Sequence, residues 1–238
     1  MSRIIERNRS IIPACDVELE LYEEIVRETA NIDGIGGYKI GFVLGLTYGL
    51  SKIVEVTRRY TNKPIIYDHQ KACTDIPDTG IQFAKTCKNA GIDTVILFPL
   101  TGPEVERTWI KVCMNEGLGV IVGGLMSHPC YLRSEGGYIS DESVLEIYGI
   151  AADLGVKDFV VPGTKLNDVI KIKSYLEEKG IKAAYYPPGF VTQGGSIKEA
   201  ENVFGESDWH PIVGRAIYRA DSIRNAAEHC VEMLCEHM

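Results

Sequence analysis

The strongest constraint on the fold is an alternation repeated eight times along the chain. A short apolar run, often β-branched, is followed each time by a segment with helical spacing of its apolar residues. The runs are 10–15, 37–42, 63–68, 93–98, 119–125, 158–161, 183–186 and 211–213. The helical segments are 16–29, 46–60, 76–90, 103–116, 142–154, 166–179, 197–204 and 221–236. Short continuous apolar runs suit strands covered on both faces, as in a parallel sheet. Eight such units within 238 residues, with no linker or shift in composition between them, predict a single (β/α)8 TIM barrel over 1–238 as one domain. The rival architecture is a doubly wound open sheet. It usually needs fewer strands, and no G-x-G-x-x-G follows the first run here.

Composition narrows the partners. A net charge of −8 repels polynucleotides, so no nucleic-acid partner is expected. No apolar run approaches the ~18 residues of a membrane helix, so no membrane partner is expected. The opening MSRIIERNRS has charges but no long apolar core after it, unlike a secretory signal. The seven cysteines are odd in number, scattered and free of C-x-x-C pairs, which predicts thiols in a reducing cytoplasm and neither a zinc site nor a disulfide framework.

Barrels place their chemistry at the C-terminal ends of the strands. Asp16 follows the first run, as a functional carboxylate or a helix cap. Lys39 lies inside the second run, where a lysine needs a partner or a wet cavity. The third run ends in a cluster of Asp68, His69, Lys71 and Asp75. Charges of both signs at a buried strand end are costly to hold, and such clusters concentrate at sites of chemistry. Ser127 stands on a tight turn after the fifth run, with no His–Asp relay to make it a nucleophile. A glycine-rich stretch, 188–196, follows the seventh run, and Gly214-Arg215 follows the eighth. Open backbone N–H groups, a helix N-terminus and an arginine fork in that place predict a phosphate grip.

These residues carry a family resemblance. The chain resembles orotidine 5′-phosphate decarboxylases from Pro13-Ala14-Cys15-Asp16 to Val213-Gly214-Arg215-Ala216-Ile217-Tyr218. The markers between are Lys39-Ile40-Gly41, Asp75-Ile76-Pro77, Met126-Ser127-His128-Pro129, and Pro188-Gly189 with Gln193-Gly194-Gly195. The resemblance implies a barrel homodimer that converts orotidine 5′-monophosphate to UMP and CO2 with no metal and no organic cofactor. It implies a charge array of Lys39, Asp68, Lys71 and Asp75, with Lys71 the proton donor. Asp75 and Thr79 would reach into the partner's site. Asp16 would hold the ribose, Ser127 the pyrimidine, Gln193 and Gly194 base and phosphate, and Gly214 and Arg215 the phosphate.

One departure sits in the array itself. The family's Asp-x-Lys-x-x-Asp becomes Asp68-x-x-Lys71-x-x-x-Asp75. In a regular strand Asp68 and Lys71 would face opposite sides. Either a bulge reunites them, or His69 takes the inward place; Asp68 is favoured because histidine supplies no anion. Two other readings stay open: a Mg-dependent sugar-phosphate decarboxylase or hexulose-phosphate aldolase, with Asp68 and Asp75 offering oxygens, and a nucleotide-phosphate binding barrel that has lost its chemistry.

Overall fold

A computed structural model describes residues 3–189 and 197–235. The sheet consists of β1 (Ile12–Cys15), β2 (Tyr38–Ile40), β3 (Ile65–Ala72), β4 (Thr94–Leu97), β5 (Gly119–Gly123), β6 (Asp158–Val160), β7 (Ala184–Tyr186), β8 (Asp208–Trp209) and β9 (Ile212–Val213). The ladders are parallel, in the order β8-β7-β6-β5-β4-β3-β2-β1-β9. The expected eighth run, 211–213, is β9; β8, just before it, lies outside every expected run, and the two together fill the closing place in the sheet. Pro211, which has no N–H to give a ladder, separates them. β8 pairs with β7 and β9 with β1, while bridges Arg9↔Trp209 and Pro188↔Ile212 join the ends of the sheet. His210 N donates to Tyr185 O at 2.7 Å, and Ile12 N donates to Pro211 O at 2.9 Å, so the broken strand bonds both neighbours and shuts the ring. The result is an α/β barrel of the TIM type.

The helices are α1 (Leu19–Thr29), α2 (Phe42–Tyr48), α3 (Leu50–Arg58), α4 (Thr79–Asn89), α5 (Pro103–Asn115), α6 (Asp141–Asp153), α7 (Leu166–Glu178), α8 (Ile197–Phe204), α9 (Arg215–Tyr218) and α10 (Ile223–Cys235). One expected helix, 46–60, is instead two. Gly49 adopts φ +80, a left-handed turn that glycine takes without strain and that ends α2 before α3 begins. α9 was not foreseen, being only four residues long. Among the described residues no helix is long and apolar enough to cross a membrane.

Side-chain alternation sorts the core into two layers. Ile12, Ile66, Ile96, Ile121, Val160 and Tyr186 point into the barrel and pack together. Their neighbours Ile65, Val95, Val120, Phe159 and Tyr185 point outward to meet the helices. Helix α1 shows the complementary pattern, burying Tyr22, Ile25, Val26 and Thr29 on one face. This two-step period positions the site. Asp68, two residues beyond Ile66, is carried inward with it.

Candidate active site

The C-terminal mouth of the barrel holds a cavity of about 300 Å³. Asp16, Lys39, Asp68, Lys71, Ser127, Gly214 and Arg215, brought from five strand ends, all line it. Gln193 and Gly194 lie outside the described residues. Asp75 and Thr79 do not line this cavity. Asp75 is exposed and Thr79 half-buried at the start of α4, where Asp75 Oδ1 accepts from Ile76 N at 2.8 Å and Thr79 Oγ1 donates to Ile76 O at 2.8 Å.

Strand β3 runs on past Asp68 to Ala72, four residues beyond its expected end, and the extra length is where the altered spacing is absorbed. Tyr67 pairs with Val95 and Ala72 with Leu97, so five steps along β3 match two along β4. Within this bulge Lys71 adopts φ +78, and Cys73 just beyond it φ +74. For residues with a Cβ such backbone costs on the order of 1–2 kcal/mol. The irregular backbone breaks the strict alternation, so that Lys71 shares a cavity with Asp68 despite the three-residue separation. His69 takes a different place. Its Nδ1 is hydrogen-bonded to the Tyr67 hydroxyl, its ring meets the edge of Phe83, and it does not line the cavity.

Lys39 ties the charges together. Its Nζ donates to Asp68 Oδ2 at 3.1 Å and stands 3.7 Å from Asp16 Oδ2. Lys39 is 7% exposed and Asp68 8%, so neither charge is solvated and each depends on the other. Burial alone would depress the Lys39 ammonium, but Asp68 and then Asp16 overcome it and raise its pKa above the ordinary lysine value. Lys71 shows the opposite balance. Burial lowers its pKa from the ordinary value, Asp68 opposes that shift, and Lys39 adds to it. The two lysines thus differ in proton affinity: Lys39 is held charged, while Lys71 is the readier acid.

One residue at the site carries no sequence signature beyond its position. Phe98, just past β4, lies in the cavity wall with Lys71 Nζ 4.4 Å from its ring centroid. A cation over an aromatic face is stabilised without using up its N–H donors. The ring rests on Gly123, where an added Cβ would lie 2.3 Å from Phe98 Cζ. Gly123→Ala is therefore expected to push the ring off its position and to cost about 1–3 kcal/mol by overpacking. Urea unfolding reads this out, and an unchanged midpoint would refute it.

Comparison with known proteins gives this arrangement its context. The model of the orotidine 5′-phosphate decarboxylase / HUMPS family matches residues 10–230. The orotidine 5′-phosphate decarboxylase of Methanosarcina mazei is 33% identical over 225 residues, covering 94% of each chain. That of Methanosphaera stadtmanae is 31% identical over 226 residues, covering 94% of this chain and 96% of the relative. Among solved structures, orotidine 5′-monophosphate decarboxylase from Methanocaldococcus jannaschii, complexed with the inhibitor BMP, superposes with a TM-score of 0.81 at 26% identity over 95% of this chain and 98% of that one. The Pyrococcus horikoshii enzyme gives a TM-score of 0.77 at 28% identity, over 94% and 99% of the two chains. A family model matched over residues 10–230, shared sequence across almost the full length and a common fold lead to one conclusion: this chain belongs to the orotidine 5′-phosphate decarboxylase / HUMPS family.

Proposed function

We propose that the protein decarboxylates orotidine 5′-monophosphate to UMP and CO2, the whole chain acting as one catalytic unit. The observation that carries the reading is the single cavity in which Lys39, Asp68 and Lys71 face Gly214 and Arg215. Loss of CO2 from C6 of the pyrimidine leaves an electron pair on a carbon with no adjacent sink. A fixed cation beside C6 stabilises that charge and then supplies the replacing proton. Lys71 takes this role, being the lysine with the lowered proton affinity. Asp68 lies where the departing carboxylate would crowd it, and Lys39 holds Asp68 and Asp16 in place. Asp16 binds the ribose, Ser127 the base, and Arg215 with the Gly214 backbone the phosphate, with Gln193 and Gly194 completing the grip. Binding energy from that remote phosphate is spent on positioning the base.

The charge pattern also bears on the metal-dependent alternative. An ammonium already stands between Asp16 and Asp68, supplying there the positive charge that a Mg2+ ion would otherwise bring. The test follows the ultraviolet change of orotidine 5′-monophosphate as it becomes UMP. Decay at an unchanged rate in the presence of a chelator is expected. Decay abolished by chelation, or UMP binding without turnover, would sink the reading in favour of the Mg-dependent or the binding-only barrel.

The homodimer is part of the same proposal. Exposed apolar side chains surround the two residues that stay out of the cavity: Ile76 is 58% and Ile81 45% exposed beside Asp75 and Thr79, and Leu46 is 71% exposed on α2 after the neighbouring strand. A second copy covering this face would bring Asp75 and Thr79 to its own site. Mixing inactive Lys71→Ala and Asp75→Asn chains should then restore about a quarter of wild-type activity, since half the dimers are mixed and each has one intact site. No recovery after subunit exchange would refute shared sites. A cytoplasmic location accords with the buried free thiols Cys15, Cys73, Cys87, Cys113 and Cys230, and cell fractionation tests it.

A further inference from the structure

A second cavity, of about 230 Å³, opens between α5 and α6 beside the loop that follows β4. It shares no lining residue with the active site. Its inner wall holds Glu106, on the face of α5 that also buries Val105, Trp109, Ile110 and Cys113. Glu106 is 1% exposed, and its Oε1 has no hydrogen-bond partner among the described residues. A buried carboxyl oxygen without a donor is costly, and native proteins leave few such groups unexplained.

The surroundings define what would satisfy it. Glu146 and the Ser143 hydroxyl of α6 line the same cavity, while Leu100, Ile147 and Ile150 make its walls apolar. No lysine or arginine is among the lining residues. Two carboxyl groups disfavour an anion, and the apolar walls favour carbon over a bare hydrated ion. The space far exceeds the 10–15 Å³ or so that one water requires.

We propose that the α5–α6 cavity is a binding site for a small organic cation, a primary alkylammonium whose charged head donates to Glu106 and whose carbons lie against Leu100, Ile147 and Ile150. The carboxyl group stays protonated when the cavity is empty, because burial pushes its pKa up to about 8 and Arg107 only partly offsets that shift. Cys73, facing it from the end of β3, is itself pushed up by burial and contributes no charge near neutrality, and Glu146 at the rim is exposed. Binding of an ammonium therefore displaces the Glu106 proton to solvent.

Calorimetric titration of the full protein with n-butylammonium chloride at matched ionic strength tests this, with butan-1-ol and butanoate as controls. Saturable binding is expected at pH 8, with a Kd on the order of 1 mM for so small a ligand. It should weaken at least tenfold at pH 6, and its heat should track the ionisation enthalpy of the buffer. Glu106→Gln should lose at least tenfold in affinity, and Ile150→Trp, which fills the cavity from α6, should lose binding while Glu106 remains. Equal binding by Glu106→Gln, equal binding of butan-1-ol, or no saturable heat with the wild type would each overturn the assignment. The decarboxylation assay on each variant reports whether it has folded, independently of the amine.

Discussion

Lys71→Ala will bind UMP but decarboxylate orotidine 5′-monophosphate roughly ten-thousand-fold more slowly than the wild type, or worse. Two losses combine, a positioned proton donor, worth about 10²–10⁴ in rate, and a preorganised charge at the reacting carbon, worth about 10²–10³. Because effects within one array are not additive, the lower part of the combined range is the safer figure. Arg215→Ala should fail differently. Loss of a charge-assisted grip on phosphate costs about 1.5–3 kcal/mol, so UMP binding weakens by roughly ten- to a hundredfold while the charge array stays intact. Ultraviolet turnover and UMP titration on both variants separate the roles. A Lys71→Ala protein retaining more than about one hundredth of wild-type turnover would remove Lys71 from the chemistry.

The second large effect concerns stability. Above pH 8, Glu106→Gln will be substantially more stable than the wild type, and the difference will vanish near pH 4. The folded state holds the Glu106 proton up to about pH 8, against an ordinary value of 4.5. The stability present below pH 4.5 is lost progressively as pH rises towards 8, because the unfolded chain has already released the proton. Each pH unit across that window costs about 1.4 kcal/mol, which sets a ceiling of about 5 kcal/mol before relaxation and water entry reduce it. Even half that ceiling would shift the Tm of a chain this size by roughly 5–10 °C. Thermal melts of both proteins from pH 5 to pH 9 decide the matter. Parallel curves would mean that Glu106 finds a partner when ionised.

Much of the fold was legible because period and composition agreed. Strand inner faces such as Ile66, Ile96 and Ile121 alternate with outer residues, and that pattern needs no knowledge of contacts. Two boundaries escaped it for local reasons. Gly49 breaks a helix whose apolar spacing continues on both sides, and β8 is a two-residue strand, Asp208–Trp209, whose charged half hides it from any apolar pattern. The site was legible as a set of strand ends, since Asp16, Lys39, Asp68, Lys71, Ser127 and Arg215 converge on one cavity. Asp68 was legible in preference to His69, since alternation carries it inward with Ile66, but the place of Lys71 beside it was not, because that rests on a positive φ at Lys71 that sequence spacing alone does not encode. Phe98 and Glu106 carry no sequence signal for a related reason. An aromatic after a strand and an acid on a helix are ordinary until a neighbouring cation, or the lack of any donor, gives them meaning.

The split closing strand has a consequence for how the molecule is made. The ring shuts only when Ile212 meets Ile12 and His210 Nδ1 reaches the Ser10 hydroxyl at 2.8 Å, contacts 200 residues apart. A chain emerging from the ribosome therefore carries β1 as an open edge until Ile212 and Val213 have been synthesised, and loop closure over that distance is slow. Arg215 follows the closing strand directly and Asp16 follows the first, so the nucleotide cavity straddles the seam. Completion of the barrel thus also completes the cavity, and a nucleotide bound in it would act as a clasp across the last joint to form.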